Sequence, residues 1–118
     1  MTNKIYTHIV SEISRFLGNP VDLPSGNGAR FKDQSNSVVT VYHSNLASEN
    51  LSGVAVKQES LVSSCGYSDS QAQNHIEAIR SFTRYDVNPD SKYNWPRVGV
   101  RTIEEGDRVI TYIAGLNA

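Results

Sequence analysis

The run Val38-Val39-Thr40-Val41-Tyr42 constrains this chain more than any other stretch. β-Branched side chains are stiff at χ1 and suit a pleated, packed surface, so the run is a strand. Alternation puts Val39, Val41 and His43 on one face and Val38, Thr40 and Tyr42 on the other. Both faces are fairly apolar, which places the strand centrally in a sheet. It then breaks into a polar corner, His43-Ser44-Asn45. A strand buried on both sides needs partners along both edges and a layer above it. The 118 residues available suffice for one domain, residues 1–118.

Its partners follow from the flanking pattern. Ala29 to Asp33 and Ser37 to His43 read as a hairpin around Gln34-Ser35-Asn36. Leu51 to Val56 and Leu61 to Ser64 are weaker strand candidates, with Lys57-Gln58-Glu59-Ser60 as their turn. Arg97 to Ile103 and Arg108 to Ile113 read as a closing hairpin around Glu104-Glu105-Gly106-Asp107. Two segments carry helical spacing instead. Over residues 3–17, Ile5, Tyr6, Ile9, Val10, Ile13, Phe16 and Leu17 line one face, and Gly18 and Pro20 end the helix. His8 falls on the opposite face, where solvation is expected. Ser68 or Asp69 caps a second helix, Ser70 to Thr83, with Ala72, Ile76, Ile79 and Phe82 inward. Asn19 to Gly28 is a loop, and Ser25-Gly26-Asn27-Gly28 an ordinary turn, since a phosphate-binding loop would need a Lys and flanking elements it lacks. Arg84 to Pro96 is a long loop, and Ala114 to Ala118 frays. The expected fold class is α+β: an antiparallel sheet of hairpins, four to six strands, with two helices on one face.

Composition removes several classes of function. The net charge of −1 favours no partner class. One cysteine, Cys65, allows no internal disulfide, and with His8, His43 and His75 it makes no zinc spacing. The expectation is therefore no metal and no cofactor. No window has the apolar length of a membrane span, and no apolar core follows Lys4 as a leader would require. A reducing cytoplasm is the expected setting, with no membrane partner.

Two clusters could bind. Between residues 80 and 101 five basic residues face only Asp86 and Asp90, a local excess of three positive charges. Arg80, Arg84, Tyr85, Lys92, Tyr93, Trp95, Arg97 and Arg101 interleave cations with rings. That mixture can hold phosphates and stack bases, or anchor a protein surface. The second cluster is the corner Tyr42, His43 and Asn45 with Tyr67, at the ends of predicted elements, where a small ligand such as a nucleotide could be held. The enzymatic alternative is a hydrolase using Cys65, activated by the helix start ahead of it and by His43 or His75 as base. Against it stands the usual role of a lone cysteine as a small buried hydrophobe. No acid/base pair is evident among the carboxylates, and the expectation is a protein that is not an enzyme.

The central stretch also resembles a family of small uncharacterised proteins encoded by bacteriophages, plasmids and related mobile elements. The resemblance rests on the strand Val38 to Tyr42, the cluster Tyr42-His43-Ser44-Asn45, the pair Gly66-Tyr67, and His75-Ile76 and Phe82 on the following helix. It covers about 45 residues and departs at Ser70-Gln71-Ala72, where the family carries a Thr-Thr pair. It implies no catalytic residue. It implies an accessory protein of a phage or mobile element, acting in the bacterial host cytoplasm. Together with the lack of a catalytic set, it leads to the expectation of a binding protein that contacts a host protein, an anti-defence inhibitor or a nucleotide sponge. Nucleic-acid binding through Arg80 to Arg101 is the alternative.

Overall fold

Helix α1 (Lys4–Leu17) forms where the apolar spacing asked for it, with Ile5, Ile9, Ile13 and Leu17 buried in one stripe. A computed structural model describes residues 4–24, 26, 28–32, 38–43, 52–81 and 97–117. After α1 come β1 (Val21–Asp22), β2 (Gly28–Phe31), β3 (Val39–Tyr42) and β4 (Ser52–Val56). Helices α2 (Gln58–Ser63) and α3 (Asp69–Arg80) follow, then β5 (Arg97–Val100) and α4 (Ile103–Leu116). The strands form one sheet in the order β1-β2-β3-β4-β5, and every neighbouring pair is antiparallel. The α+β class and the antiparallel sheet are as the sequence predicts, and β3 holds the central place expected of the Val38 to Tyr42 run.

Register decides which side chains share a face. Phe31 pairs with Val39 and Val39 with Val56, while Val41 pairs with Val54 and Val54 with Val98. Opposed residues lie on the same side of a sheet. These side chains and Val100 form one buried surface, and all four helices contribute to the same core. The other face carries several small residues: Gly28 and Gly53 flank Tyr42 in one row, with Gly99 beyond Gly53, and Ala55 lies beside Thr40 in the next.

Four helices stand among the described residues where two were expected, and two predicted strands are helical. Leu61 to Ser64 belongs to α2 and the turn after it. Lys57 supplies no side-chain cap there. Instead Ser60, 4% exposed, ties α2 to the sheet. Its Oγ accepts from the Val38 N–H at 2.8 Å and donates to the Lys57 carbonyl at 2.6 Å. Leu61 then faces the core as a helical residue. Gly66, at φ 81°, turns the chain so that the Tyr67 N–H reaches the Leu61 carbonyl at 3.0 Å.

The larger correction is at the end of the chain. Strand β5 stops at Val100, and the predicted turn and final strand, Glu104 to Ile113, form most of α4. Thr102 caps it, its hydroxyl accepting from the Glu105 N–H at 3.1 Å. The Glu105 carboxylate reaches back to the Arg101 N–H at 2.9 Å. Glu104 and Glu105 lie in the first turn, where the helix dipole favours negative charge. Gly106, read as a turn residue, is instead buried where α4 crosses α1: a Cβ there would stand 3.3 Å from Ile9 Cγ1. Val109, Ile110, Ile113 and Leu116 supply the buried stripe.

Smaller differences complete the comparison. Val21 and Asp22, expected in a loop, pair with Arg30 and Ala29 as a short edge strand. Gly26 does make the turn of that hairpin, at φ 76°. Helix α3 opens with a capping box, in which Ser68 Oγ accepts from the Gln71 N–H and Gln71 Oε1 accepts from the Ser68 N–H. Phe82 and Thr83, predicted at its end, lie outside the described residues, as does the predicted loop up to Pro96.

Two substitutions test this packing. Ser60→Ala strands the Val38 N–H and is expected to cost about 1–3 kcal/mol in urea unfolding. Gly28→Ala drives a Cβ into the Val41 carbonyl oxygen. The backbone must yield, and a loss of about 1–3 kcal/mol is expected in the same assay.

Candidate functional site

The predicted binding residues are dispersed. Arg84, Tyr85, Lys92, Tyr93 and Trp95 lie outside the described residues. Arg80 ends α3 and Arg97 begins β5, and of these two only the backbone is described. Arg101 is half-buried at the β5–α4 junction, where its N–H is held by Glu105. In the corner, the Tyr42 carbonyl accepts from Ser52 Oγ at 2.8 Å, and Asn45 lies outside the described residues. His43 stacks on Tyr6 of α1, ring centroids 3.8 Å apart and planes 22° from parallel. Tyr67 finds its neighbours elsewhere, in α3 and α4.

That second neighbourhood is the candidate site. Tyr67 leads into α3, and its hydroxyl donates to the Leu116 carbonyl near the end of α4 at 3.1 Å. Its ring meets His75 of α3 edge-on, with centroids 4.7 Å apart. His75 Nδ1 lies 2.6 Å from the Tyr112 hydroxyl of α4. The two share one proton, and which of them donates depends on the imidazole tautomer. The other ring nitrogen, Nε2, has no partner among the described residues.

Beside this trio runs an open groove of about 730 Å³ between α3 and α4. Its walls are largely apolar: the rings of Tyr67, His75 and Tyr112, each set edge-on to its neighbour, with Gly115 and Leu116 at one end. Glu104, Asp107, Arg108 and Thr111 make the lip. A volume of several hundred Å³ with a few converging polar groups is the usual form of a ligand site. Gly115 adds no side chain there, and the space a Cβ would enter is open. Asp107 is engaged already. His8 of α1, expected to be solvated, lies with Nε2 at 2.6 Å from Asp107 Oδ1 and joins α1 to α4 at the groove's edge.

Burial pushes the Tyr112 hydroxyl above the ordinary tyrosine range, with the Tyr67 phenol adding to the effect. Tyr6 moves in the same direction, through burial first and the negative charge of Asp22 second. Cys65 is packed against the core, and its Sγ donates to Asn117 Oδ1 at 3.5 Å. That bond uses the proton a nucleophilic cysteine would have to lose. Among the described residues no group of three or more His, Cys, Asp or Glu side chains could hold a metal ion. No described helix is long and apolar enough to cross a membrane.

Comparison with protein-family models, curated proteins and solved structures returns no match.

Of the groove's residues, Tyr67 is among the predicted ligand residues and His75 is predicted only as a base for Cys65. Arg108, Thr111 and Tyr112 fall in a predicted strand, which hides the stripe they share on a helix. The signal was present. Thr102-Ile103-Glu104-Glu105 has the spacing of a capping box, and a helix starting there sets Glu104, Arg108, Thr111 and Gly115 on one stripe.

The tyrosines carry a pH test. Both Tyr6 and Tyr112 hold their protons more tightly when folded, so the folded state favours the neutral phenol. Their contribution is complete below the unfolded value near pH 10 and is lost as pH rises through the folded values. Urea midpoints measured from pH 9 upward should fall, and less steeply in Tyr6→Phe or Tyr112→Phe. At neutral pH, Tyr112→Phe should cost about 0.5–1.5 kcal/mol through the lost bond to His75.

Proposed function

We propose that this chain is a small binding protein without catalytic chemistry and that the α3–α4 groove is its contact site. One observation carries the reading: the groove's rings are held in place by bonds within the protein. Tyr67 is fixed by the Leu116 carbonyl and Tyr112 by His75. Side chains ordered in advance lose little freedom on binding, which favours recognition. The lone thiol, which donates its hydrogen bond to Asn117 Oδ1, supports the same choice over a hydrolase.

The resemblance of the central stretch supplies the setting. The chain acts as an accessory protein of a bacteriophage or mobile element in the host cytoplasm. There it meets a host protein or sequesters a nucleotide, with anti-defence as the consequence.

The test is a tagged chain expressed in a bacterial host, with retained proteins and small molecules identified by mass spectrometry. Thr111→Trp fills the groove from an exposed position and should leave the fold intact by circular dichroism. The expected result is a partner retained by the wild-type chain and by Cys65→Ala but lost from Thr111→Trp. Equal retention by Thr111→Trp would remove the groove from the proposal, and loss on Cys65→Ala would revive the thiol chemistry.

A further inference from the structure

Charge at the groove's lip is unevenly satisfied. Glu104 lies in the first turn of α4, where the positive end of the helix dipole compensates it. Asp107 is bound to His8. Arg108 has neither kind of support: it lies beyond the first turn, and its side chain makes no ion pair or hydrogen bond among the described residues. An i, i+4 bond to Glu104 would be open to it, yet the two side chains do not pair.

One turn along α4 from Arg108 is Tyr112, hydrogen-bonded to His75 Nδ1, and His75 Nε2 is left without a partner among the described residues. An unpaired guanidinium and an unpartnered ring nitrogen therefore border a wall built of aromatic rings. Nothing else lining the groove pairs a free cation with ring surface.

We infer that the α3–α4 groove binds a small planar aromatic anion, its ring against Tyr67, His75 and Tyr112 and its acid group between Arg108 and His75 Nε2. Guanidinium grips carboxylate and phosphate through paired N–H groups, and an aromatic ligand can pack offset or edge-on against rings tilted as these are. The carboxylate of an aromatic acid and the phosphate of a nucleotide satisfy the same chemistry. The inference rests on the groove being a binding site.

Its test uses two probe pairs that differ in charge at constant ring system: 2-naphthoate against 2-naphthamide, and adenosine 5′-monophosphate against adenosine. Each is titrated into the intact, isotopically labelled chain and followed by amide and imidazole NMR shifts. At least one anion should bind about tenfold more tightly than its neutral partner, shifting Tyr67, His75, Thr111 and Tyr112. The pair with the larger ratio identifies carboxylate or phosphate as the preferred acid.

Arg108→Gln should abolish the ratio while leaving neutral-ring binding and thermal stability unchanged. Equal affinity of anion and neutral partner would overturn the inference yet preserve the groove as a binding site. No saturable shifts with any probe would overturn both. A ratio that survives Arg108→Gln would place the anion elsewhere and also overturn it.

Discussion

Helix α4 lies close against α1 at position 106, where a Cβ would stand 3.3 Å from Ile9 Cγ1 and force it to shift. Ile9 fills the space over Gly106, and Val100 closes it from the sheet. That approach sets the height of α4 above the strands. It lets Val109 and Ile113 reach the valine surface and leaves the opposite stripe of the helix free. His8 and Asp107 secure the crossing at its rim. The groove exists because α4, held this way, stands beside α3 without closing onto it along its length. Contact is made at one end, by Tyr67 on Leu116 and His75 on Tyr112.

What was legible in the sequence was what local patterning alone decides. Val38 to Tyr42 is strongly β-branched and became the middle strand, and the 3.6-residue stripe of residues 3–17 became α1. At the start of α3 the sequence predicts the Ser68 cap, and Gln71 completes it as a capping box. The last segment failed because two kinds of signal overlapped. Glu104-Glu105-Gly106-Asp107 has the composition of a turn, and a glycine between acidic residues is usually one. Here tertiary packing selected the glycine for its size. Leu61 to Ser64 failed for a related reason, since α2 has no side-chain cap to announce it and depends on Ser60 bonding to a strand distant in sequence.

The site was less legible than the fold. Its residues come from three places: the turn before α3, one face of α3, and the outer stripe of α4. A periodicity search finds stripes that are apolar, and this stripe is Glu, Arg, Thr and Gly. A Tyr has a polar end that must find a partner when half-buried. Which partner it finds is a property of the assembled helices.

The sheet's strict sequential order has a bearing on how the chain reaches this state. Val41 and Val54, paired between β3 and β4, are 13 positions apart in the chain. Val54 and Val98, paired between β4 and β5, are separated by 44. Closing the longer loop costs about 1 kcal/mol more in chain entropy, and none of it is returned until β5 docks. The first four strands can therefore assemble as a meander of near neighbours, while β5 and α4 arrive together across the longest gap. The groove, which needs α4 in place, is then among the last features of the molecule to exist.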